Sequence, residues 1–252
     1  MEDPDLLYKI VPPPAALAPY VESCWMLVNR AGHAKQVVVL PDGRVDLMFA
    51  RSANEPFHVL LLGIDSNASQ TVLAPGATLF AVSFRLPAVE YVLRTSITPI
   101  LHSAAVMPDD YWGLGEAALA DFDGFCEQAF GLIGDALPAT PDNRKLELFA
   151  LLYASQGAIT VQELADKVYW SARQINRYFN QQFGLSLKAY ASILRFRASF
   201  PQIAAGKLFP EDHFADQAHF IREVKKFAGV TPRALYKNQN GRFIQFSTLP
   251  RS

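Results

Sequence analysis

The chain has 252 residues, half of them hydrophobic, and 23 Lys and Arg against 24 Asp and Glu. That length supplies one large core or two modest ones; no apolar run is long enough to cross a bilayer, and the acidic start MEDPDLLYKI is unlike a secretory signal. Only two cysteines occur, Cys24 and Cys126, in apolar or aromatic surroundings with no Cys/His spacing that suits zinc, so the expectation is a cytoplasmic protein with reduced, packed thiols and no metal or cofactor.

The first 90 or so residues predict strands. YVESCWMLVN, QVVVL, VDLMFA, FHVLLLG and TLFAVSFRL are short runs rich in Val, Phe and Leu. Between QVVVL and VDLMFA lies Pro41-Asp42-Gly43-Arg44, a tight-turn signal, and a hairpin is expected there. LPAVEYVLRT carries Pro87 near a helix start, and the Ala-rich residues 115–136 predict another helix. DALPATPDN, residues 135–143, carries two prolines and several turn formers and marks a domain boundary. Helix signals follow throughout. Strands first and helices afterwards argue for an α+β chain of two domains, a β-rich one over residues 1–138 and an all-α one over residues 139–252.

Charge divides at the same place. Residues 1–140 hold 7 Lys and Arg against 16 Asp and Glu, whereas residues 141–252 hold 16 against 8. A basic half joined to an acidic one points to a polyanionic partner for the second half.

Within the basic half the sequence repeats itself at a shift of 45. Ser171 falls on Asp216, Ile175 on Phe220, Arg177 on Arg222, Phe179 on Val224, Gly184 on Gly229 and Ser186 on Thr231, so cap, core, base and stop stay in step. Thr160-Val161-Gln162-Glu163 and Ser171-Ala172-Arg173-Gln174 are capping boxes for two short helices separated by a tight turn, and Gly184 stops the second. That is a helix-turn-helix unit, used twice. Opposite Ile175 and Phe179 lie Arg173, Asn176, Arg177 and Asn180. Arg can bond guanine and Asn adenine bidentately in a major groove. The second unit offers Gln217, Ile221 and Arg222 on the matching face, with Lys225 and Lys226 suited to phosphates. Between the units, SLKAYASILRFRASF predicts a helix with Leu187, Tyr190, Ile193 and Leu194 inward and Arg195 and Arg197 more exposed. About 20 residues at ~1.5 Å each span roughly 30 Å, close to the repeat of the major groove.

The stretches ELADKVYWSARQINRYFNQQFGLSLKAYASILRFR and ADQAHFIREVKKFAGVTPRALY resemble the AraC/XylS family of bacterial transcription regulators over about residues 155–240. LPDGRVDLMF and LFAVSFRLPAVEYVL resemble a β-rich domain often found before that module. The resemblance implies binding to promoter DNA, contact with RNA polymerase, and a small-molecule effector at the β-rich domain. It places base reading on Arg173, Asn176 and Arg177 in the first unit and on Gln217, Ile221 and Arg222 in the second. Three departures stand out. Tyr169 and His213 occupy turn positions where the family has Gly, GKLFPEDHF with Pro210 is a degraded leading helix, and Pro201 interrupts the connecting helix.

Two rivals remain. A helix-turn-helix fold can bind protein without sequence-specific DNA contact, which the basic half disfavours. An enzyme built on the β-rich half would draw on His33, His58, His102, Asp42, Asp46 and Arg85, but neither a metal-ligand spacing nor a G-x-S-x-G motif occurs. An effector pocket inside the β-structure would use Trp25, Phe49, Phe84 and Arg85, the last facing an anionic group. The tail RFIQF predicts an added strand or a packed segment.

Overall fold

The computed structural model describes residues 5–210, 214, 216–238 and 241–248. The strands are β1 (Leu6–Val11), β2 (Val21–Asn29), β3 (Lys35–Val39), β4 (Val45–Arg51), β5 (His58–Leu62), β6 (Ser69–Leu73), β7 (Thr78–Phe84) and β8 (Ala104–Met107). The helices are α1 (Pro87–Tyr91), α2 (Phe122–Ala136), α3 (Asn143–Ala154), α4 (Val161–Val168), α5 (Ala172–Phe183), α6 (Leu187–Ala198), α7 (Phe200–Ala204), α8 (Gln217–Ala228), α9 (Pro232–Lys237) and α10 (Ile244–Thr248). A β-rich region precedes a helical one, so the fold is α+β, as the sequence predicts.

One sheet runs β1-β2-β7-β4-β5-β8, antiparallel throughout, and β3 pairs with β6 in a second. The expected hairpin across Pro41–Arg44 does not form, because β3 and β4 belong to different sheets. The turn carries the chain from one sheet to the other. Gly43 takes φ 76°, and the Asp42 carboxylate accepts from the Arg44 amide at 3.1 Å. Strand alternation decides what each face does. Val45, Leu47 and Phe49 of β4, with Phe80, Val82 and Phe84 of β7, are buried, and this face packs on α2. Phe49 meets Phe125 at 5.3 Å and Phe80 meets Phe122 at 5.0 Å between ring centroids. Each such side chain contributes about 1.5–3 kcal/mol on burial.

The helical region keeps the repeat in register. Both α5 and α8 have twelve residues, with Ser171 and Asp216 as N-caps and Gly184 (φ 75°) and Gly229 (φ 69°) as left-handed C-caps. Thr160 and Ser171 both close full capping boxes. Phe179 is wholly buried among Phe149, Tyr178, Phe183 and Tyr190. The connecting helix α6 stops at Ala198. Pro201 sits in the first turn of the short α7 that follows, so the single 20-residue span estimated from the sequence is broken.

The two regions share one apolar core, and hydrogen bonds and ion pairs tie them together. A β-bulge between Val21 and Ser23 throws Glu22 out of register toward the helical side. There its carboxylate meets Arg44 (3.1 Å), Arg85 (2.8 Å) and Arg197 of α6 (2.5 Å). Tyr190 donates to the Gly43 carbonyl at 3.0 Å, and the Leu86 amide donates to Tyr153, a phenol that burial pushes up to about 12. The tail packs rather than extending a sheet. Phe243 is buried beside Val38 in a single parallel bridge, and Gln245 bonds both the amide and the carbonyl of Leu40.

Candidate nucleic-acid interface

The polar face of α5 is where the capping boxes place it. Arg173 and Arg177 are exposed, opposite the buried Ile175, Phe179 and Phe183. Asn180 is exposed as well, and Asn176 is half-buried. Both carboxamides are turned onto their own helix: Asn176 donates to the Ala172 carbonyl at 3.0 Å and Asn180 to that of Asn176 at 2.9 Å. Reading a base with either would require swapping a local bond for one to DNA, whereas the two guanidinium groups stand ready.

The turn before α5 is held by Tyr169, at φ 56° and ψ 35° with 88% of its surface exposed. The non-Gly residue therefore adopts the left-handed conformation that the position demands and bears its strain. His213, the corresponding residue of the second unit, lies outside the described residues.

The far end of α5 is clasped by the β-rich region. The Gln182 carbonyl accepts from the Ile97 amide at 3.0 Å, and that of Gln181 accepts from the hydroxyls of Ser96 (2.8 Å) and Thr98 (3.1 Å). These donors satisfy carbonyls that a helix C-terminus leaves open. Along its side, Tyr178 donates to Glu90 at 3.0 Å, and Glu90 also accepts from Lys145 at 2.5 Å. Burial, reinforced by the Glu90 charge, raises the Tyr178 phenol and keeps its proton in place. The sequence pattern placed the exposed polar face on α5 but missed this clasp, because Ser96-Ile97-Thr98 carries no signal of what it will touch.

In the second unit Ile221, Arg222, Lys225 and Lys226 are exposed on α8. Lys226 lies 3.9 Å from Glu223 and stacks on Phe227. Gln217 departs from the expectation. It is half-buried, and its amide donates to the Leu208 carbonyl at 2.9 Å, so it ties α8 back to the stretch after α7. Arg195 and Arg197 are not the exposed residues that the pattern predicts either. Arg195 bonds the Gly157 carbonyl and Ser192, and Arg197 bonds Glu22.

The expected effector residues do not converge. Phe49 and Phe84 lie in the core facing α2 and Trp112, whereas Trp25 faces the other side of the sheet with its indole N–H on Ser83 at 3.0 Å. The error is one of strand parity: residues at odd positions of β4 and even positions of β7 share the helix-covered face. Arg85 lies on Glu22, 5.2 Å from the Tyr153 ring centre. The enzymatic candidates fare no better. His102 gathers Ser66 and Asp65, but Ser66 approaches both ring nitrogens and Asp65 lies 3.7 Å away, an exposed cluster without the geometry of a triad. His33 is exposed, and His58 bonds the Pro56 carbonyl. Among the described residues no group of three His, Cys, Asp or Glu could hold a metal ion, and no helix is long and apolar enough to cross a membrane. A half-open cavity of about 630 Å³ lies along β3 and β6, with His33, Gln36, Gln70 and Arg242 among its lining; its Lys35 is engaged by Asp5 at 2.8 Å.

Residues 9–104 match a family model described as a domain of unknown function, DUF6597, which spans less than half of the chain. No curated protein matches the sequence. Solved structures of ToxT from Vibrio cholerae are similar at 12% identity. A 1.65 Å structure covers 84% of this chain and 98% of that one with a TM-score of 0.46. A structure bound to (E)-4-(8-methylnaphthalen-1-yl)but-3-enoic acid covers 92% and 98% with a TM-score of 0.39. Likeness at that level assigns nothing to this chain.

Proposed function

We propose that the protein is a DNA-binding transcriptional regulator of AraC type, in which residues 139–252 grip promoter DNA and residues 1–138 respond to a small molecule. The observation that carries the reading is α5: a doubly capped helix after a tight turn, buried by Ile175, Phe179 and Phe183, with Arg173 and Arg177 presented outward. Its repeat, α8, presents Ile221, Arg222, Lys225 and Lys226. The excess of cations over residues 141–252 supplies the attraction to phosphate. In this reading Arg173 and Arg177 contact base edges, Asn176 and Asn180 join them on releasing their helix bonds, and Lys225 and Lys226 contact the backbone. Gln217 acts as a brace. The clasp at Ser96–Thr98 lets the β-rich half set the pose of α5.

Selection from random duplex oligonucleotides with the full chain tests this. Enrichment of a defined motif supports the reading. Retention of no duplex at 50 mM salt would leave the protein-interaction alternative in its place.

A further inference from the structure

The loop that follows β5 and the loop that precedes β8 leave the sheet side by side, since Leu62 and Ala104 are the end pair of the β5–β8 ladder. Beyond that pair the contact goes on. The Gly63 amide donates to the Ser103 carbonyl at 2.9 Å, the His102 amide to that of Ile64 at 3.1 Å, and the Ser66 amide to the His102 ring at 3.3 Å. The approach requires glycine, because a Cβ on Gly63 would overlap the Ile100 carbonyl oxygen. His102 itself takes a left-handed φ of 59°, a strain that persists only where the surroundings over-determine it.

Each loop also holds one copy of the repeated helix, and at the same place. Gln182 of α5 falls on Phe227 of α8 at the shift of 45. The Gln182 carbonyl accepts from the Ile97 amide at 3.0 Å, and the Phe227 carbonyl accepts from the Ala68 amide at 2.8 Å. Both carbonyls lie in the last turn, where a helix leaves them open. On α5 the hold is reinforced by the Ser96 and Thr98 hydroxyls, and a Cβ on its C-cap Gly184 would meet Thr98 at 3.3 Å.

We propose that these two loops form a yoke that fixes the distance and angle between α5 and α8, and so sets the spacing at which two segments of duplex are read. Gly63, Ala68 and Ile97 are its positioning residues, and none of them lies on either helix. The proposal rests on the DNA-binding reading and adds a spacing rule to it. Two readers held rigidly favour one spacing, because each base pair inserted between their targets shifts the second by about 3.4 Å and turns it by roughly 34°. Readers joined only through α6 and α7, with the break between Ala198 and Phe200, would accept several spacings.

Gly63→Ala drives the loops apart. Ala68→Pro deletes the amide that Phe227 accepts from and leaves Gly63 alone, so either variant carries the test if the other does not fold. The parent chain is first used to select a site from random duplexes. Affinities are then measured for that site and for copies lengthened or shortened by one base pair between the two segments. The parent should lose at least about tenfold on either change, and each folded variant less than about threefold, with affinity for the isolated α5 segment within about twofold of the parent's. Hydrogen exchange without DNA gives a second readout: the last turn of α8 should exchange faster in both variants, that of α5 also in Gly63→Ala, and α3 and α4 should be unchanged. A selected site of one segment, a parent indifferent to spacing, folded variants as strict as the parent, or unchanged exchange at the ends of both helices would overturn the yoke while leaving the DNA reading in place. A parent that binds no duplex refutes the DNA reading, and exchange alone then decides whether the loops hold the two helices jointly.

Discussion

The repeated helices α5 and α8 have the same length, each starting at a side-chain N-cap and ending at a left-handed Gly, but the two units differ in support. In the first, α4 is an eight-residue helix with a full capping box, and α5 rests on a cluster of aromatic rings and is clasped at its far end by Ser96, Ile97 and Thr98. In the second, the described residues 206–210, which fall on the first part of α4 at the repeat's shift, form no helix, and Gln217 is diverted to bond Leu208. One tie of α8 to the β-rich region is the Phe227 carbonyl, which accepts from Ala68 at 2.8 Å. A recognition helix is aimed by what holds it from behind. Under the proposed function, α5 is held from behind by both halves of the molecule, through the Ser96–Thr98 clasp and the aromatic cluster.

The largest expected difference is in stability. Phe179→Ala should cost about 3–5 kcal/mol because it empties an aromatic cluster. Val224→Ala, at the matching position, removes fewer atoms and should cost clearly less; urea denaturation of both variants measures the gap. Equal losses would show that the second unit is packed as firmly as the first.

DNA affinity comes next. Arg177→Ala should lose about 1–3 kcal/mol on a selected duplex while staying folded. Arg222→Ala should lose less, since α8 is held less rigidly. The reverse order would make the second unit the principal reader.

Tyr169 separates folding from binding within the first unit. A left-handed Tyr costs about 1–2 kcal/mol, partly offset by the extra chain freedom of Gly when unfolded. Tyr169→Gly should therefore raise the melting temperature slightly, by up to about 1 kcal/mol of stability. If the exposed ring touches the duplex under the proposed function, the same variant should bind DNA more weakly. Higher stability with unchanged affinity would remove Tyr169 from the interface.

The smallest effect concerns phosphate contact. Lys225→Ala should weaken all sequences alike and shallow the salt slope by about one unit. An unchanged slope would take Lys225 out of the contact.

Much of this molecule is written in local signals. Caps at Thr160, Ser171 and Asp216 and stops at Gly184 and Gly229 are short-range features, and the structure has the helices where they point. Long-range pairing was less legible. The Pro41–Arg44 turn has the chemistry of a hairpin, but strand partners are chosen by the whole sheet. Aromatic content drew attention to Phe49 and Phe84, whereas parity puts Asp46, Met48 and Ser83 beside Trp25. Arg197 and Gln217 look like solvent-facing residues until the partner half, or an irregular neighbour, gives them a bond.

The most direct measurement of the central claim is the affinity of the full chain for a selected duplex, compared with that of an Arg173→Ala, Arg177→Ala double variant of unchanged melting temperature. If α5 reads bases, specific affinity should fall by at least a hundredfold, toward the level of random DNA, with non-specific binding largely kept. Equal affinity of variant and parent for the selected site would contradict it.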